Sequence, residues 1–293
     1  MWKRHGLPLA YRKHGNMKII HRVCISTTGN VGVRKKIEEL GIHMKPSGYG
    51  RHILLNYFDI SEDDPRWAKV TQVLSSSAIR STTTRTVFTE EEIASAEWVR
   101  IGPDFVLGYP MPALDGSWRD TSFNAGEECS VCGIGRKQTA PIHLKGDPRL
   151  GKNDFMAINW TFDFFARLEV FGVLSERGVE GVEPAPAIHD GLLAPIETIK
   201  QLKVLEEHSP CIIDDNLVRD QKPCEHVKYN LLTRGKLKFS RDVFNNVPDL
   251  VRTHEWFGSG HMAFQLVLAS AKFVTIYMER GWKGLLLYPV DLI

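Results

Sequence analysis

Charge of one sign is what this sequence has least of. Its 293 residues carry 37 Lys and Arg against 35 Asp and Glu, a formal net charge of +2. A chain that lives on phosphate backbones shows a larger basic excess, so nucleic acid is not the expected partner. Long apolar runs are also missing: none reaches the roughly 18 residues of a membrane-spanning helix. Cysteine is sparse, at five residues: Cys24, Cys129, Cys132, Cys211 and Cys224. An odd number in so long a chain argues against a disulfide framework. It points to the cytoplasm, where thiols stay free or bind metal. The first ten residues are basic but lack an apolar core, so they do not read as a secretory signal. No G-x-S-x-G, G-x-G-x-x-G, H-E-x-x-H or P-loop is present. That leans the reading away from an enzyme, although catalytic groups need not be neighbours in sequence.

The remaining composition is that of a globular protein, 43% hydrophobic and 25% charged. Apolar β-prone runs alternate with helix–Gly–strand joints, which predicts an α+β fold: mixed, mostly antiparallel sheets with packed helices. Residues 1–16 read as an unordered extension, 17–124 as an N-terminal α/β domain, and 125–293 as a second, α+β domain. Within the first, Cys24 reads as a strand core residue. Thr89 reads as the N-cap, with Glu92 at N3, of a helix running to about Val99. The Ser/Thr-rich stretch from Ser75 to Thr86 reads as a solvated loop or a polar edge strand. The acidic pair Asp214-Asp215 reads as solvated.

Two later segments resemble each other. Glu176-Arg177-Gly178-Val179-Glu180-Gly181-Val182 and Glu279-Arg280-Gly281-Trp282-Lys283-Gly284-Leu285 both follow an apolar helix. In each, a helix ends on a left-handed Gly, a tight turn follows, and a strand begins. The pair reads as a structural repeat.

One stretch carries sharper chemistry. Cys129-Ser130-Val131-Cys132-Gly133 lets a turn aim two sulfurs at one metal, and the glycine admits the backbone such a turn needs. A structural zinc takes four ligands. The best second pair is Cys224 and His226, with Cys211 next and His143, His189 and His208 in reserve. A redox pair is the competing reading, but the surrounding loop is glycine-rich rather than the start of a helix after a strand.

This stretch, with Asn159-Trp160-Thr161 and the C-terminal run through Gly281-Trp282-Lys283-Gly284 to Tyr288-Pro289-Val290, resembles the double-CXXCG-motif proteins, a family that includes myxobacterial-type immunity proteins. The resemblance covers about residues 125–293. Where that family has its second CXXCG, this chain reads Cys224-Glu225-His226-Val227-Lys228, with Val227 in the place of a cysteine. The resemblance implies an immunity-type protein that neutralises a toxin by binding it, with a structural zinc or a degenerate zinc-ribbon site. Trp118-Arg119 and Trp256-Phe257, aromatics in polar or Gly-rich loops, are the expected partner contacts. Two other classes stay open: a nucleic-acid-binding zinc-ribbon protein, and an enzyme with a pocket near Trp256–His261.

Overall fold

The computed structural model describes residues 16–26, 31–49, 53–75, 81–124, 126–209, 211–213, 217–220, 224–231 and 233–293. The extension expected over 1–16 and the pair Asp214-Asp215 therefore lie almost wholly outside the described residues. The chain divides into two compact units, Ala10–Glu90 with Thr233–Gly235, and Glu91–Leu232 with Lys236–Ile293. The division expected near residue 125 thus falls near residue 90. The reason is the strand Trp98–Pro103, which is an inner strand of a sheet built otherwise from the C-terminal third. Among the described residues no helix is long and apolar enough to cross a membrane.

The smaller unit runs β1 (Lys18–Ser26), α1 (Val31–Glu39), β2 (Lys45–Tyr49), β3 (Ile53–Ser61), α2 (Trp67–Ser75) and β4 (Ser81–Val87). Its sheet has the order β2-β3-β1-β4, antiparallel throughout. This is the ferredoxin-like split β-α-β arrangement. The polar run after Ser81 is thus an edge strand, a place where unpaired Ser and Thr are tolerated. Strand alternation buries Val23 and Ile25 with Ile37, Phe58, Val70 and Leu74. The same alternation puts Cys24 on the opposite face, half-buried, so it is not the core residue the apolar run suggested.

The larger unit opens with α3 (Glu90–Ala94), shorter than expected, because Trp98 and Val99 already belong to β5 (Trp98–Pro103). There follow β6 (Pro110–Met111), α4 (Trp118–Ser122), β7 (Ile142–Leu144), β8 (Phe155–Ala157), β9 (Phe164–Arg167), α5 (Leu168–Glu176), β10 (Val182–Ala185), β11 (Ala187–His189) and β12 (Ala194–Pro195). Then come β13 (Ile199–Val204), β14 (Lys228–Tyr229), β15 (Lys238–Phe239), β16 (Leu250–Phe257), β17 (Phe264–Ser270), α6 (Ala271–Glu279), β18 (Leu285–Pro289) and β19 (Asp291–Leu292). With six helices and mostly antiparallel sheets among the described residues, the fold class is α+β.

The repeat seen in the sequence extends over this whole unit. One sheet has the order β10-β13-β9-β8 and the other contains β18-β5-β17-β16. In both, the inner strand β13 or β5 runs antiparallel to its two neighbours. The parallel pair β7 and β11 recurs as β15 and β19. The parallel bridge Val106–Ala157 recurs as Glu207–Arg252. In chain order, one copy is β5-β8-β9-α5-β10 and the next is β13-β16-β17-α6-β18. Each copy gives its first strand to the sheet of the other.

The turns that end the two helices lock this exchange. The Val179 N–H donates to Leu174 O (2.9 Å) and the Trp282 N–H to Tyr277 O (3.1 Å), the same helix-closing bond. Asp249 Oδ2 accepts from Glu180 N (3.0 Å) and Asp154 Oδ2 from Lys283 N (2.8 Å), so each copy's aspartate caps the other's turn. Gly181 (φ +85°) and Gly284 (φ +110°) come so close to Leu250 O and Phe155 O that an added Cβ would sit 2.1 Å from either oxygen. Gly172, inside α5, has open space around it. We predict that Gly181→Ala and Gly284→Ala each cost at least about 2 kcal/mol, from the left-handed backbone plus the collision. Gly172→Ala should instead stabilise by about 0.5–1 kcal/mol. Urea unfolding of the three variants checks this.

Candidate metal centre

The first half of the site is a loop between α4 and β7. Phe123 and Gln138 bridge its base. There Asn124 Oδ1 accepts from Lys137 N at 2.6 Å. Inside, the Gly133 N–H donates to Cys129 O (2.7 Å) and the Cys129 N–H to Ile134 O (2.8 Å), folding Cys129–Ile134 into a knuckle. Gly133 takes φ +75° and Gly135 φ +94°, left-handed conformations that favour glycine. An added Cβ at Gly133 would lie 2.2 Å from His261 O, in the hairpin between β16 and β17. The glycine therefore serves both the turn and the close approach of that hairpin.

The second half precedes β14, which pairs in parallel with β16, Lys228 opposite Trp256. Cys129, Cys132, Cys224 and His226 all bring one ligand atom within 4.8 Å of one another. Cys132 Sγ and His226 Nδ1 are 3.8 Å apart. Ligands at zinc–sulfur and zinc–nitrogen bond lengths, set tetrahedrally, would stand about 3.5–3.8 Å apart. Three thiols and an imidazole around one point fit a zinc ion by donor type and by spacing. The four are graded in burial: Cys132 is buried, Cys129 and Cys224 are half-buried, and His226 is exposed.

Electrostatics within the knuckle favour the thiolate at Cys129 alone. The backbone N–H groups of Cys132 and Val131 bond the Cys129 sulfur and lower its pKa to about 6. Burial pushes Cys132 the other way, to about 11, despite an N–H bond from Ile134. A bound dication would overcome that penalty, since a coordinating thiol is deprotonated outright.

Of the reserve ligands, none joins the cluster. Cys211 is buried in the core around Phe257 and Leu268. Its N–H donates to Glu255 Oε1 at 2.7 Å, and burial raises its thiol pKa. His143 faces Asp190 (3.3 Å), the ring of His189 accepts from Leu192 N (3.3 Å), and His208 is buried against Phe244. The expected partner contacts fare worse. Trp118 is 2% exposed and Phe257 fully buried, so both are core residues, and neither lies in a loop: Trp118 opens α4 and Phe257 ends β16. Trp256 and Arg119 are half-buried.

Lys228 is the residue that sequence reasoning missed. It is 1% exposed. Its Nζ donates to Cys132 O (3.0 Å), Gly260 O (2.6 Å) and Met262 O (3.1 Å), and stands 3.5 Å from Asp220. It thereby ties the Cys224–His226 loop to the knuckle and to the β16–β17 hairpin. A lysine two positions past a ligand reads as a solvated side chain, and nothing local marks it as buried.

Compared with protein-family models, curated proteins and solved structures, the chain finds no match.

Two outcomes are expected. The purified protein should hold one zinc per chain. Cys129→Ser and Cys224→Ser should each weaken zinc at least about tenfold, while Cys211→Ser leaves it unchanged, as read by competition with a chromogenic chelator. Lys228→Met removes the partner of three carbonyls and of Asp220. It should cost about 3–5 kcal/mol in denaturant unfolding, the usual loss when one member of a buried ionic network is deleted.

Proposed function

We propose that this chain acts by binding a protein partner, as an immunity-type protein that neutralises a toxin, and that its Cys3His cluster holds a structural zinc. The observation that carries this is the completeness of the ligand set. Four protein donors from two separate loops lie within 4.8 Å of one another, enough to fill a tetrahedral shell around one ion. That is the pattern of structural sites; catalytic ones leave a position for water or substrate. The ion then joins the two loops, and its chemistry is mechanical. Such thiolates suit a reducing cytoplasm.

The binding surface must be sought away from Trp118 and Phe257. Trp160 and Phe162, in the turn between β8 and β9, are each 37% exposed. Both are held at positive φ, +73° and +60°. For bulky aromatics this backbone costs of order 1–3 kcal/mol each, and such strain persists at functional positions. Tyr109 supports Trp160 (4.6 Å between rings) and Phe264 stacks on Phe162 (3.9 Å). Rigid, partly exposed aromatics are the anchors that dominate interface energy. The family resemblance of the knuckle and of the C-terminal run supports a toxin as the partner.

The test is co-expression with the toxin encoded beside this gene, followed by affinity measurement on the purified pair. Wild type should rescue growth. The double variant Trp160→Ala/Phe162→Ala should fold, keep its zinc and bind at least about tenfold more weakly. Unchanged affinity in that variant, or turnover of a small molecule by the isolated protein, would overturn the reading.

A further inference from the structure

The near-neutral total of the chain hides an uneven distribution. The smaller unit, Ala10–Glu90 with Thr233–Gly235, holds 14 Lys and Arg against 7 Asp and Glu, a net +7. The rest of the chain holds 23 against 28, a net −5. So large a positive charge on so small a unit attracts polyanions.

The helices of this unit pack on one face of its sheet, over Val23, Ile25, Phe58 and Ile60. Strand alternation sends Lys18, Arg22, Lys45, Tyr57, Asp59 and Arg85 to the other face. Side chains there are within reach of solvent: Arg22 is 24% exposed, Asp59 26% and Arg85 35%. Arg22 Nε and Nη2 donate to Asp59 Oδ1 and Oδ2, both at 2.8 Å, and its guanidinium lies 4.7 Å over the Tyr57 ring. Arg85 Nη2 reaches Asp59 Oδ2 at 3.4 Å. At the end of the sheet Lys18 pairs with Asp63 (2.9 Å). Four cations thus face two carboxylates.

A four-stranded sheet with one face clear of helices can lay unstacked bases across its strands, where aromatic rings and arginine planes stack on them and basic side chains take the phosphates. Shape alone decides nothing, since one fold serves many functions. Here Arg22, fixed by Asp59 on the ring of Tyr57, offers a preset plane for a base. Lys45 and Arg85 stand on the two edge strands, β2 and β4, to take phosphates. A duplex keeps its bases stacked inside and could use only the charge. A lipid surface calls for exposed apolar side chains, and the large ones described in this unit, Met17 and Val31, lie outside these strands. Asp59 Oδ1 keeps one acceptor position, and the exposed Thr83 stands opposite Arg22. A 2′-hydroxyl can donate to the first or accept from the second, which favours RNA over DNA.

We propose that this sheet face binds single-stranded RNA, with bases on the Arg22–Tyr57 pair and phosphates at Lys45 and Arg85. It uses none of the metal ligands and neither Trp160 nor Phe162, so it stands or falls independently of the protein-partner reading.

The test is fluorescence anisotropy of the full, zinc-loaded chain with a labelled uridine oligomer of about twelve nucleotides at about 50 mM salt. The RNA should bind with a Kd of about 10 μM or tighter and weaken as salt rises. The matching deoxyribo-oligomer and an RNA duplex should each bind at least about threefold more weakly. Tyr57→Ala, and separately Lys45→Gln/Arg85→Gln, should weaken the RNA at least about fivefold. Lys35→Gln/Lys36→Gln removes the same charge from α1, on the helix side of the sheet, and should change affinity at most about twofold. Should Tyr57→Ala not fold, the two charge pairs still decide. No binding at that level, equal binding of the DNA or the duplex, or equal losses from both charge pairs would overturn the proposal.

Discussion

Neither half of the larger unit can close its own sheet. Strand β13 lies between β9 and β10, and β5 lies between β17 and β18, so removing either strips ladder bonds from two neighbours at once. Unpaired backbone N–H and C=O groups inside a sheet are costly. Each copy of the motif is therefore incomplete until the other supplies a strand. The aspartates and glycines follow from that constraint. Asp154 and Asp249 cap each other's turns, and Gly181 and Gly284 meet each other's strand starts. These contacts exist only in the exchanged arrangement, so they report on the whole unit folding together.

The metal cluster sits on the same relationship. Cys129 and Cys224 occupy matching places in the two copies, each in the segment between the donated strand and β8 or β16. One loop gives two thiols, the other a thiol and an imidazole. A single loop could not fill the shell. Lys228 adds a second, metal-independent tie between the loops, since three carbonyls and Asp220 converge on its ammonium. Desolvating that ammonium is expensive and is offset only while every partner is in place. The knuckle is thus positioned by buried hydrogen bonds that need no ion, and its four donor atoms lie close enough together to hold one.

What could be read from sequence was what is local in sequence. The knuckle declares itself because Cys129 and Cys132 share one turn, and Cys224 with His226 because they share another. The helix–Gly–strand repeat declares itself because the turn needs glycine at two fixed places. The α+β class follows from alternating apolar runs. Hidden from that reading was everything decided by partners far along the chain. Trp98 and Val99 resemble the end of a helix until β17 and β18 are present to pair with them. Trp118 and Phe257 have polar or Gly-rich neighbours in sequence and read as loop residues, but they open α4 and end β16, and only long-range packing shows that they are buried. Cys24 lies in an apolar run, but the two-residue period of the strand turns it away from Val23 and Ile25. Lys228 has no local signature, because its carbonyl partners come from Cys132, Gly260 and Met262.

The two copies differ where chemistry gathers. The turn between β8 and β9 carries Trp160 and Phe162, whereas the turn between β16 and β17, equal in length but set on longer strands, reaches the knuckle through His261 O and Gly133. The second knuckle has His226 and Val227 where the first has Val131 and Cys132. As a result a polar cleft beside the knuckle is assembled once, not twice: Arg119, Glu128 and Ser130 come from the first copy and His261 from the extended hairpin of the second. Duplication accounts for the strand exchange and the paired caps. The aromatic turn and the charged cleft arise from its asymmetries, so a function carried by either belongs to one face of the unit alone.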